Sequence, residues 1–173
     1  MNRRKAIQQT AYLLGGAVSA SFIASAMSSC QPTGAPDWTP QFLTPEQAKT
    51  VEAIAEIILP ETDTLGAKSL HLTEFVDLMV KDVFSGYDQL QFPKGLGQLE
   101  EECQFFTGSS FLNASPQDQE KFLVLQEEKG RNLEKQTGEK AFISTLKELI
   151  LTGYFTSEYA ITELMNYNFK KSP

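Results

Sequence analysis

A chain of 173 residues with 22 acidic against 15 basic side chains carries a formal net charge of −7. That surplus argues against a partner read through nucleic-acid phosphates and gives no electrostatic pull toward anionic lipid. The length suits one domain with a core of its own, and two cysteines are too few for a disulfide scaffold.

The chain opens "MNRRKAIQQTAYLLGGAVSA". Arg3, Arg4 and Lys5 form a basic tip, and the following run to Met27 holds no charged residue. A basic start, a short apolar stretch and a small-residue tail are the parts of a secretory signal. Gln8, Gln9, Thr10 and several glycines and serines dilute the stretch into a weak membrane span. The adjacent Arg3 and Arg4 favour the twin-arginine route, which moves proteins already folded. "AMSSCQP" resembles a lipoprotein signal-peptidase site in which Cys30 would be lipidated and become the new N-terminus. An ordinary cleavage nearby, with Cys30 left as a tail residue, is the competing reading. Residues 1–29 are expected to be a signal peptide, 30–42 a tether and 43–173 a helical domain. All the charges of the leader are basic, so the remainder is more acidic than the whole.

"QPTGAPDWTPQ" is rich in Pro and Gly and reads as the tether. Trp38 within it docks either on the domain or on a partner. "LTPEQAKTVEAIAEIILPETD" then has the signature of a helix start: Thr44 as N-cap, Pro45 in the first turn and Gln47 closing a capping box. Ala48, Val51, Ile54, Ala55 and Ile58 recur at helical spacing, and Pro60 stops the run. "ETDTLGAKSLH" reads as a polar loop turning at Gly66. A second helix from near Thr73 should bury Phe75, Val76, Met79, Val80 and Val83. "SGYDQLQFPKG" reads as a linker, followed by a third helix from Leu96 to Phe106 carrying Leu99, Cys103 and Phe106. Ser115 and Pro116 start a fourth, with Phe122, Leu123 and Leu125 inward. A fifth runs from Lys140 to Leu151 through Phe142, Ile143, Leu146, Leu149 and Ile150, with Gly153 as the turn after it. "TSEYAITELMNY" forms a sixth, short helix capped by Thr156 or Ser157. No stretch alternates cleanly enough for a strand. The expected fold is all-α, a small irregular bundle of about six helices with long loops.

Chemistry is sparse. His71 is the only histidine, so a nucleophilic triad would have to use it. His71, Glu74 and Asp63 could share a metal, but one histidine with scattered acids is an unspecific set, and local hydrogen bonding at a loop–helix junction is the plainer reading. Gly95 and Gly97 lack the preceding strand and third glycine of a nucleotide loop. Glu100, Glu101 and Glu102, like Glu127 and Glu128, read as solvated helix faces. No cysteine–histidine spacing suggests zinc or an attached haem. With Cys30 lipidated, Cys103 is either a buried thiol or half of an intermolecular bridge. The residues therefore give no catalytic, cofactor-binding or metal site in this chain.

The densest signal is "LILTGYFTSEYA". Tyr154, Phe155, Thr156, Ser157, Glu158 and Tyr159 crowd one corner between two helices. That corner is either packed core or a partner-binding patch, since Tyr and Phe serve both.

Three stretches, residues 43–80, 95–128 and 142–160, resemble the small subunit (subunit 3) of gluconate 2-dehydrogenase-type complexes, most specifically in "PETDTLGA" and "GYFTSE". The resemblance implies a non-catalytic subunit bound to a large flavoprotein dehydrogenase that oxidises sugars or sugar acids in the periplasm. FAD is then expected in that partner and no cofactor in this chain, with electrons passing to a cytochrome c subunit or another membrane acceptor. It further implies that this chain supplies the export signal for a leaderless partner and supports its maturation, so that the folded passenger is the other protein. The expected location is periplasmic, after export in the folded state, with a membrane anchor at Cys30. A free-standing lipid-anchored binding module without a redox partner is the alternative, and an enzyme built on His71, Asp63 and Glu74 is a third.

Overall fold

The computed structural model describes residues 38–165. Arg3, Arg4 and Cys30 lie outside that range, as does the end of the sixth expected helix. Within it the chain forms five α-helices, one 3-10 turn and one π-turn, with no strand among the described residues. The all-α class stands.

Helix α1 (Pro45–Ile58) begins as its sequence dictates. Thr44 Oγ1 accepts the Gln47 N–H at 3.2 Å, and Gln47 Oε1 accepts the Thr44 N–H at 3.0 Å. Two of the orphan donors at the helix start are thereby satisfied. Ala48, Val51, Ile54 and Ala55 are buried, whereas Ile58 is only half-buried at the helix end. Helix α2 (Leu72–Asp82) follows a loop that ends with His71 in the left-handed region, at φ 52°. Its buried face is Leu72, Thr73, Val76, Asp77 and Val80. Phe75 and Met79 are half-buried, and Val83, expected inside, is 64% exposed because it lies one position past the helix end.

The expected linker "SGYDQLQFPKG" is instead helical. Helix α3 spans Gly86–Thr107, with Ser85 as N-cap accepting the Asp88 N–H at 3.3 Å. Pro93 sits inside it. A proline there removes one backbone donor and crowds the preceding turn. Neighbouring aromatics offset that cost: Phe92 is buried edge-on between Phe84 at 6.2 Å and Phe142 at 5.1 Å. Gly95 is required by the same packing, since a β-carbon there would fall inside the Phe142 ring. Of the two features that read as loop, Gly95 thus follows from close packing against Phe142, and Pro93 is carried inside the helix. Phe106, expected with Leu99 and Cys103 on the third helix, is left 47% exposed.

A 3-10 turn, Phe111–Asn113, places the fully buried Phe111 under Phe122. Helix α4 (Pro116–Thr137) starts on Ser115 as expected and ends on Gly138 at φ 76°. Its last seven residues, 131–137, are all exposed, so the final two turns stand clear of the core. Helix α5 (Phe142–Thr156) is the centre of the bundle, touching each of the other four helices and burying Leu146 and Ile150 completely. Gly153 lies within α5 rather than after it. It is there because Phe75 of α2 packs on its bare backbone; a β-carbon would meet that ring at 2.7 Å. The π-turn Ala160–Leu164 closes the described chain.

Candidate functional site

The corner after α5 is built from its carbonyl caps outward. Ser157 is the pivot: its hydroxyl donates to the Tyr154 carbonyl at 2.7 Å and accepts the Ala160 N–H at 3.1 Å. It therefore satisfies the end of one element and the start of the next. Ser157, not Thr156, is the cap; the Thr156 hydroxyl folds back onto the Thr152 carbonyl at 2.7 Å. The two aromatic neighbours separate sharply. Tyr154 is 7% exposed and part of the core, whereas Phe155 is 52% exposed and stands edge-on to it at 5.4 Å. Thr156 and Glu158 are exposed, and Tyr159 is half-buried.

Tyr159 ties this corner to the loop after α1. Its phenol oxygen accepts the Leu65 N–H at 3.3 Å, across 94 positions of sequence. The loop is folded tightly on itself. The Ala67 N–H donates to the Leu59 carbonyl at 2.9 Å, the Thr62 N–H to the Thr64 carbonyl at 3.1 Å, and a β-carbon at Gly66 would meet the Glu61 nitrogen at 2.5 Å. "PETDTLGA" is thus tied to Tyr159, the residue that follows "GYFTSE". Leu65, Phe155, Leu164 and Met165 are the large apolar side chains left exposed on the segments that join there.

The other singled-out residues fall elsewhere. His71 and Asp63 are exposed, and Asp63 accepts only a neighbourly hydrogen bond from Thr62 at 3.1 Å. Among the described residues no three His, Cys, Asp or Glu side chains come together to hold a metal, so His71, Asp63 and Glu74 do not converge. Cys103 is fully buried, and burial pushes its thiol up; it is a packed side chain rather than half of a bridge. Trp38 packs against the domain. Gly97 lies on open surface within α3.

The acidic run is more than a solvated face. Glu100 accepts the Phe111 N–H at 2.9 Å and so fixes the 3-10 turn. Glu102 joins α3 to α4, accepting from Gln126 at 2.7 Å and Lys129 at 2.8 Å. Glu127 in turn receives Lys147 of α5 at 2.5 Å. The Gln126 and Lys129 hydrogen bonds hold the Glu102 carboxyl below its ordinary value. A depressed carboxyl contributes stability above its unfolded value and loses it as pH falls through the folded one. Glu102→Gln should therefore cost under about 1 kcal/mol at neutral pH, since the pair is half exposed. The gap to the parent should narrow in acid, as pH falls through the depressed folded value. Urea midpoints at neutral and acid pH check this; a gap that persists in acid would assign the effect to shape instead.

Two residues of note escape a reading by local pattern. The fully buried carboxylate of Asp77 sits in the apolar run "FVDLMV" of α2. A lone acid at a core-facing position is the signal that could have found it, because a buried charge demands partners. Phe105, at 95% exposed, belongs to neither apolar face expected from the spacing.

Among the described residues no helix is long and apolar enough to cross a membrane. The family model for gluconate 2-dehydrogenase subunit 3 matches residues 45–173. No curated protein and no solved structure matches the chain.

Proposed function

The chain belongs to the gluconate 2-dehydrogenase subunit 3 family, and from that premise we propose that it is the non-catalytic accessory subunit of a periplasmic, flavin-dependent sugar dehydrogenase. As a member of that family it partners other subunits of a dehydrogenase complex. In this reading the large subunit holds the FAD and the substrate. This chain carries the twin-arginine signal, through Arg3 and Arg4, for a partner that folds around its flavin before export. Cys30 carries the lipid that keeps the complex at the membrane, and a cytochrome c subunit takes the electrons.

One observation carries the docking site. Leu65, inside "PETDTLGA", is joined across 94 positions to Tyr159, the residue that follows "GYFTSE", by one hydrogen bond. Beside them Phe155 is left half exposed over a buried Tyr154. An aromatic ring backed by a rigid core costs little entropy to bury, which is what an interface anchor needs. The large subunit is proposed to seat on Phe155, Thr156, Glu158 and the neighbouring Leu65.

The test is a mild-detergent purification of this chain from its own cells, with an absorption spectrum of the eluate. A large co-purifying protein with flavin bands near about 450 nm supports the reading. A lone, colourless protein favours the anchored binding module. Phe155→Ala should then weaken the complex about 30-fold or more, the scale of an interface hot spot. It should change the unfolding free energy of the isolated subunit by no more than about 0.5 kcal/mol, the scale of a surface change. An unchanged affinity would move the interface away from the corner.

A further inference from the structure

Asp77 lies in the middle of α2, is fully buried and is the one buried acid or base among the described residues. Burying a carboxylate is costly unless its oxygens are satisfied. Here the donors are three consecutive backbone amides far away in sequence. Gln41 N–H donates to Oδ2 at 2.8 Å, and Phe42 N–H and Leu43 N–H donate to Oδ1 at 3.1 and 2.7 Å. The next amide, Thr44, is taken by the capping box. One turn along α2 from Asp77, Lys81 Nζ donates to the Gln41 side-chain oxygen at 2.5 Å. Residues 38–43 form no regular element, yet Trp38 and Phe42 lie against the core. This segment, most of it the described end of the expected tether, is therefore a strap held by one charge and three apolar side chains, Trp38, Phe42 and the buried Leu43. Charge-assisted bonds of this kind are the strong ones, and three of them converge on a single side chain.

We infer that Trp38–Leu43 is a latch closed on Asp77. The strap docks only on the carboxylate that a formed α2 presents, and it opens as a unit, with the bundle intact, when that carboxylate is lost. In the carrier role proposed above, the latch fixes the point from which the leader-bearing arm leaves the domain and makes that point depend on a folded α2. The inference rests on that reading for its use but not for its existence, because the latch is measured on this protein alone.

Amide hydrogen exchange on the full-length chain tests it, comparing the parent, Asp77→Asn and the double variant Trp38→Ala/Phe42→Ala. In Asp77→Asn the amides of Gln41, Phe42 and Leu43 should exchange at least about tenfold faster, as expected for losing hydrogen bonds to a charged group. Amides of Ile54, Val80 and Leu146 should keep their protection. The double variant should give the same pattern through the apolar side of the strap. Strap amides that remain protected in Asp77→Asn would overturn the latch. If Asp77→Asn does not fold, the double variant decides: a strap that opens over a protected core supports the latch, and a core that loses protection in step with the strap overturns it. A partner that co-purifies normally beside a failed exchange result removes the latch alone, and the reverse removes the accessory-subunit reading, with its carrier role, and leaves the latch.

Discussion

Tyr154→Ala should lower the unfolding free energy of the isolated domain by about 3–5 kcal/mol, the range for deleting a buried aromatic side chain. The side chain is 7% exposed at the end of the central helix, and its own carbonyl anchors Ser157. Truncation leaves a cavity beneath Phe155, although the main-chain carbonyl that holds Ser157 stays in place. The neighbouring Phe155→Ala change should barely register in the same measurement. Urea denaturation of the two variants, side by side, makes the contrast. A loss under about 1 kcal/mol for Tyr154→Ala would mean that the corner can collapse around the gap, as small-cost core truncations do. For the proposed docking site the pair matters because a rigid Tyr154 gives Phe155 a fixed direction. Tyr154→Ala should therefore weaken the complex as well, through disorder of the anchor rather than loss of contact.

In the proposed carrier role, changing both Arg3 and Arg4 to Lys should leave this chain and the proposed flavoprotein partner together in the cytoplasm. The twin-arginine route reads the arginine pair as an address, and lysine preserves the charge without the signal. Fractionation followed by detection of both subunits measures the outcome. Retention of both, with the complex still assembled and its flavin bound, is the expected result. Arrival of the partner outside while this chain stays behind would end the carrier role, though it would leave the subunit assignment untouched.

The parts of this fold legible in the sequence are those decided locally. Thr44 with Gln47, and Ser115 with Pro116, form their caps from residues close together in the chain, and both helices begin where those residues place them. The inward positions of α1 and α5 follow their apolar spacing. Expectation and structure part where a distant side chain decides the matter. Pro93 and Gly95 disfavour a helix locally by about 3 and about 1 kcal/mol. Packing against Phe84 and Phe142, which lie outside α3, outweighs that local preference. Gly153 looks like a helix stop until Phe75 is seen resting on it. The candidate site divides in the same way. The aromatic corner stands out in the sequence, but Tyr154 and Phe155 are adjacent aromatic residues, and only their burial separates core from surface. The link from Tyr159 to Leu65, and the strap on Asp77, each join positions that no local pattern relates.

The free end of α4 has a practical consequence. Residues 131–137 continue a helix whose register is already fixed by the buried Phe122, Leu123 and Gly130. They end at a left-handed glycine that nothing crowds within 4 Å. A reporter cysteine, a fluorophore or an inserted epitope at this overhang inherits a rigid orientation without touching the core. The overhang is thus a mast on which the approach of a second subunit can be timed by fluorescence, leaving the corner and the strap in their native form.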